Sequence, residues 1–222
     1  MRYITLLSMA IVFVGGCQKT YVAVEAKKAK LSGAELREVS KAERLGEELY
    51  LQDTVAAKAS NMLLQAAGPI KPGELSGWII VKDGPKTLTR FIKQTGEDVN
   101  VVYDVKIDAK GGAEVAKDNL RPLSNTELAM FRARQNAIAA APKDCTRAYN
   151  TAVIKDIDSD GWLVYILAAS DRSVIVVGGH SRVKVSPDCN NVESVTPLYE
   201  KCLAMPIPAD IKNPKEQAFS VS

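Results

Sequence analysis

Between residues 34 and 67 no proline occurs, and Leu36, Val39, Leu45, Leu49, Ala56, Ala59 and Leu63 recur near helical spacing. The spacing predicts one long helix, or two with a break near Asp53-Thr54, and Gly68-Pro69 supplies the stop. After a Pro/Gly-rich connection the pattern changes to short apolar runs at 77–81, 87–92 and 100–107, which read as strands. In the last run Val101, Tyr103, Val105 and Ile107 alternate with Val102, Asp104 and Lys106, so one face is dry and the other mostly wet. Gly111-Gly112 turns into a short strand near 114–116.

Ser124 followed by Glu127 forms a capping box that opens a second helix, with Leu128, Phe131 and Ile138 as its expected buried stripe and Pro142 as its end. Strands are then expected over 148–155, 161–169, 174–185 and 192–198. The run from Trp162 to Ala169 is apolar at nearly every position, which predicts a central strand covered on both faces. From Pro206 onward the periodicity fades and the chain reads as a loose tail.

The expected class is α+β, with helices packed on antiparallel β-sheet. Two halves resemble each other: Gly77-Trp78 matches Gly161-Trp162, Val105-Lys106-Ile107 matches Val183-Lys184-Val185, and Pro122-Leu123 matches Pro197-Leu198. Unequal spacings leave both duplication and coincidence open. A duplication makes each half a helix plus a three- or four-stranded sheet, over 33–123 and 124–205, followed by a flexible tail over 206–222. The two sheets then join edge to edge or pack as separate lobes.

Met1-Arg2 precedes an apolar run, Ile4–Val14, about half the roughly 20 residues that span a bilayer. The run ends in Val14-Gly15-Gly16-Cys17, which resembles the lipobox of bacterial lipoproteins. That resemblance implies a signal peptide over 1–16, cleavage before Cys17, lipidation of the Cys17 thiol and acylation of the new amino terminus. Two or three acyl chains anchor a protein stably where one does not. An ordinary secretory signal with an incidental Cys17 is the alternative. Gln18 follows the cysteine where Asp is the retention signal, so the resemblance also implies the periplasmic face of the outer membrane in a Gram-negative cell. Residues 17–32 read as a polar, Lys-bearing tether. The rest of the chain looks like the body of an exported bacterial protein, without a motif for a named activity.

Composition excludes other classes. The 222 residues are 46% hydrophobic and 25% charged, outside the disordered and collagenous ranges, and a net charge of +3 argues against nucleic acid as a partner. No run after the first approaches membrane-span length.

With Cys17 lipidated, Cys145, Cys189 and Cys202 remain, enough for one bridge and one leftover thiol in an oxidising compartment. If residues 174–185 form one strand bulged at Gly178-Gly179, Cys145 and Cys202 share an end of the sheet. If those glycines make a tight hairpin, Cys145 meets Cys189. The turn-rich segment 186–191 favours Cys145 with Cys202.

Candidate chemistry is sparse. Asp156, Asp158, Asp160 and Gly161 match the opening of an EF-hand loop, but Leu167 occupies the position that needs a bidentate Glu, so a hairpin turn is preferred and no metal is expected. His180 is the single histidine, and packing outweighs catalysis as its reading. Trp78, Trp162 and Tyr165 suit core packing or a ligand groove; Arg132 and Arg134 suit a solvated helix face or an anionic partner. With no catalytic residues and no cofactor expected, the leading expectation is a non-enzymatic envelope lipoprotein that binds a protein partner or a ligand. The alternatives are a hydrolase that gathers Asp53 with Asp104 or Asp158, and a structural subunit of an assembly or secretion complex.

Overall fold

The computed structural model describes residues 31–170, 173–199 and 201–207. The expected signal peptide, Cys17, most of the tether and residues 208–222 of the tail lie outside the described residues. Compactness divides the chain into residues 1–39 and residues 40–222. Near the end of the first unit, Ser32 N–H donates to Glu35 Oε2 at 2.7 Å and Glu35 N–H donates to Ser32 Oγ at 3.3 Å. This reciprocal cap opens α1, Gly33–Ala67.

The helix α1 continues unbroken through Asp53-Thr54, where the Thr54 hydroxyl donates to the Tyr50 carbonyl at 2.7 Å within the helix. Gly68, at φ 78°, ends it. Four antiparallel strands follow in sequence order: β1 (Gly77–Asp83), β2 (Lys86–Thr95), β3 (Asp98–Ile107) and β4 (Ala113–Pro122). Then comes α2, Asn125–Ala140, with the predicted Ser124/Glu127 capping box in place. The rest of the chain builds β5 (Tyr149–Lys155), β6 (Trp162–Ala168), β7 (Val174–Val177), β8 (Ser181–Val185), β9 (Val192–Pro197) and β10 (Leu203–Pro206). The second sheet has the order β5-β6-β8-β9, and β7 pairs with β10 in a separate two-stranded ribbon. The fold is α+β, with antiparallel pairing throughout the described strands.

Several expectations need correction. The run 174–185 is two strands in two sheets: Gly178 and Gly179, at φ 93° and 67°, turn the chain between them. Pro206 belongs to β10 and not to a loose tail. The short strand near 114–116 is part of the ten-residue edge strand β4. On α2 the buried apolar stripe is Met130, Phe131, Ala133 and Ala137, while Leu128 and Ile138 are half-buried. Among the matched anchors, two pairs fall on equivalent strands: Val105 and Val183 lie on the third strands, and Pro122 and Pro197 end the fourth. Gly77-Trp78 opens the first strand of its sheet, whereas Gly161-Trp162 opens the second strand of the other, so this pair does not correspond.

Strand alternation explains how two helices cover two sheets. Ile80, Phe91, Val105 and Ile107 of the first sheet pack on Val55, Ala56, Ala59 and Leu63 of α1. Their neighbours Ile79 and Ile92 point the other way and join Met130, Phe131, Ala133 and Ala137 of α2. The second sheet repeats this division. Val153, Val164, Ile166, Val183 and Val185 face the α2 cluster, and Ala152, Ile154, Leu163 and Tyr165 face Leu45 and Leu49 of α1. Both sheets therefore have α1 on one face and α2 on the other, and β6 is the covered inner strand that its apolar run predicts.

Candidate functional site

The strands β1 and β5 are the edges of their respective sheets, and they border a common seam. A groove of about 840 Å³ opens there. Three consecutive residues of β1 (80–82) and three of β5 (153–155) line it, and since successive side chains point to opposite faces, the strand edges themselves face the groove. Ala129 and Met130 of α2 also line it, with Leu45 and Gln52 of α1.

Polar side chains crosslink the walls. The Gln52 amide donates from Nε2 to the Val153 carbonyl at 2.9 Å, and its Oε1 accepts the Val153 N–H at 2.9 Å. The Lys82 ammonium meets Glu48 at 2.7 Å. Burial opposes ionisation of Glu48, but hydrogen bonds from Lys82 and Gln52 outweigh it and hold the carboxyl below its usual range. Lys155 lies over the Trp162 ring, 4.8 Å from its centre. The rim is thus mainly basic, with Arg44, Lys82 and Lys155 around the single acid Glu48.

The acids expected to gather for hydrolysis have separate neighbours. Asp53 accepts from Asn150 at 3.1 Å, Asp104 lies 3.8 Å from Arg90, and Asp158 pairs with Lys41. Among the described residues no group of three or more His, Cys, Asp or Glu converges as a metal-holding set. In the Asp-rich turn, Asp156 is buried, and its Oδ1 accepts the Asp158 N–H at 3.0 Å while its Oδ2 accepts the Ser159 hydroxyl at 2.7 Å. Burial opposes its charge, yet the Ser159 and Asp158 donors and the Lys184 ammonium keep its pKa below the usual value. A Cβ at Gly161 would stand 2.5 Å from the Val185 carbonyl oxygen, so close strand approach requires the glycine.

A larger ionic group joins α2 to the first sheet. Glu127 receives Arg121 through both carboxylate oxygens, at 3.2 and 3.3 Å, pairs with Arg90, and accepts the Ser124 N–H at 2.8 Å. Sequence spacing identifies only the last of these contacts.

Cys145 and Cys202 form a disulfide, their Cα atoms 5.4 Å apart. Beside it, His180 Nδ1 accepts the Ala168 N–H at 2.9 Å, and burial lowers the imidazole pKa. This commits the Nδ1 lone pair and ties the end of β6 to the residue that precedes β8. Cys189 is buried under α2, where its thiol donates to the Ala129 carbonyl at 3.2 Å and burial raises its pKa.

The expected roles of the tryptophans and arginines divide. Trp162 and Tyr165 are core residues, at 6% and 5% exposure. Arg132 is exposed, but Arg134 is buried at 6% exposure and does not lie on a solvated face.

No family model, curated protein or solved structure matches the chain. No helix among the described residues is long and apolar enough to cross a membrane.

Proposed function

We propose that this chain is a non-enzymatic lipoprotein of the bacterial cell envelope, anchored through Cys17 on the periplasmic face of the outer membrane, whose body binds an extended segment of a partner protein in the seam between β1 and β5. The anchor rests on the Val14-Gly15-Gly16-Cys17 pattern. The binding role rests on one observation: two sheet edges border a single open groove lined by Ala129 and Met130. Gln52 already holds both main-chain groups of Val153, so an added strand is offered the other edge positions of β1 and β5, while its alternate side chains reach the apolar lining. The basic rim favours a segment with acidic flanks.

A photo-crosslinking residue at Ile157, an exposed groove residue, tests the reading in intact cells. The expected result is one discrete adduct from Ile157, none from the exposed Tyr50 two positions from Glu48 on α1, and loss of the adduct in Ala129→Phe and in Cys17→Ser. Equal labelling from Tyr50, or an adduct indifferent to Ala129→Phe, overturns groove binding. Persistence in Cys17→Ser overturns the requirement for the anchor.

A further inference from the structure

Arg134 is 6% exposed, yet no carboxylate among the described residues forms an ion pair with it. Its Nε donates to Thr151 Oγ1 on β5 at 2.8 Å, and its guanidinium carbon stands 4.3 Å from the centre of the Trp78 ring on β1. The terminal nitrogens have no acceptor among the described residues. A Cβ placed on Gly77 would be 2.5 Å from Nη1, so the glycine at φ 154° makes room for the guanidinium. Burying a cation without an anion is costly, and one hydroxyl and one aromatic face compensate only part of that cost.

This guanidinium lines a second, smaller pocket of about 360 Å³. The other walls are mostly apolar: Leu63 and Leu64 of α1, Leu75 in the following connection, Trp78, and Phe91 of β2. The volume is at the small end of ligand sites. From this geometry we infer that the pocket is a receptor for a small apolar carboxylate, with the carboxylate on the Arg134 terminal nitrogens and the hydrocarbon against Leu63, Leu75 and Phe91.

Three observations choose this ligand chemistry. A single cation matches a monoanion; a phosphate dianion needs further charge, and the other polar side chains lining the pocket, Ser60 and Ser76, are neutral. The fork of N–H groups suits two coplanar oxygens. Burial pushes the Arg134 pKa down to about 10, so the group remains a cation at neutral pH and gains from an anion. The inference is independent of the seam groove, which Arg134 does not line.

Calorimetric titration of the purified full chain with 4-phenylbutyrate, beside the neutral 4-phenylbutanol, tests it. The carboxylate is expected to bind saturably and the alcohol on the order of thirtyfold more weakly, the factor for removing one partner of a buried charge pair. Arg134→Gln is expected to weaken the carboxylate by a similar factor. Because that change alters a buried position, Leu64→Glu provides a second variant: Leu64 is 49% exposed at the pocket, and a carboxylate there competes with the ligand. Weakened binding in Leu64→Glu with an unchanged melting temperature supports the site. Absence of binding, equal affinity for acid and alcohol, or full affinity in both variants overturns it.

Discussion

Gln52 satisfies Val153 through both main-chain groups, giving one hydrogen bond to the carbonyl and taking another from the N–H. The side-chain amide thus replaces a neighbouring strand at one position on the edge of β5. Gln52→Leu leaves both groups of a buried residue without these partners, and is expected to lower the unfolding free energy by about 2–4 kcal/mol. Urea denaturation measures the change; a loss within error of zero shows that water replaces the amide freely.

Glu127 anchors α2 to the first sheet through Arg90 and Arg121. Its side chain is 8% exposed and that of Arg90 16%, so Glu127→Ala leaves a buried guanidinium with Asp104, 3.8 Å away, as its remaining carboxylate, and is expected to cost about 3 kcal/mol. Arg121 is 35% exposed, and Arg121→Ala should cost under about 1 kcal/mol. Thermal or chemical unfolding of the two variants separates the contributions, and equal costs refute the difference in burial as their cause.

The disulfide closes a loop of 57 residues' separation around the second sheet. Cys145→Ser with Cys202→Ser is expected to destabilise the fold by about 2–4 kcal/mol. Cys189 should remain unreactive toward a thiol reagent in the native protein, since it is 2% exposed and burial disfavours its thiolate. Mass-spectrometric counting of labelled thiols in native and unfolded chain checks this directly.

His180 gives stability a pH dependence. Its native pKa is below the unfolded value near 6.5, so the unfolded chain takes up the proton first as pH falls. The full contribution is present above about pH 6.5 and is lost as the pH drops toward the lowered native value. Melting temperatures between about pH 7.5 and about pH 5 should therefore decline more steeply in the native sequence than in His180→Asn, which cannot titrate. Parallel curves for the two proteins would refute the assignment.

Local signals revealed most elements. The capping box at Ser124, the helical spacing along α1, which allowed one helix or two, and the two-faced run of β6 all depend on neighbours within a few residues. The error at 174–185 has a local cause as well: valines on both sides of Gly178-Gly179 suit a strand, and only pairing with the distant Leu203–Pro206 divides them. The candidate sites were far less legible. Arg134 reads from the sequence as part of a solvated helix face or as a contact for an anionic partner, because its helix offers few local clues, whereas its environment comes from Trp78 and Thr151 on two different sheets. Asp53, Asp104 and Asp158 carry no local mark of their partners, and long-range packing assigns each a different one.

The two-stranded ribbon of β7 and β10 is too small to persist alone, and the covalent bond at Cys202 precedes β10 directly. Oxidation therefore decides whether the last described strand is held near its partner. A newly made chain in a reducing compartment would have this end untied, and the ribbon would be secured only after the thiols meet an oxidant. For a chain exported as proposed, closure of the β7–β10 ribbon is then a step separate from folding of the two large sheets, set by the compartment the thiols reach.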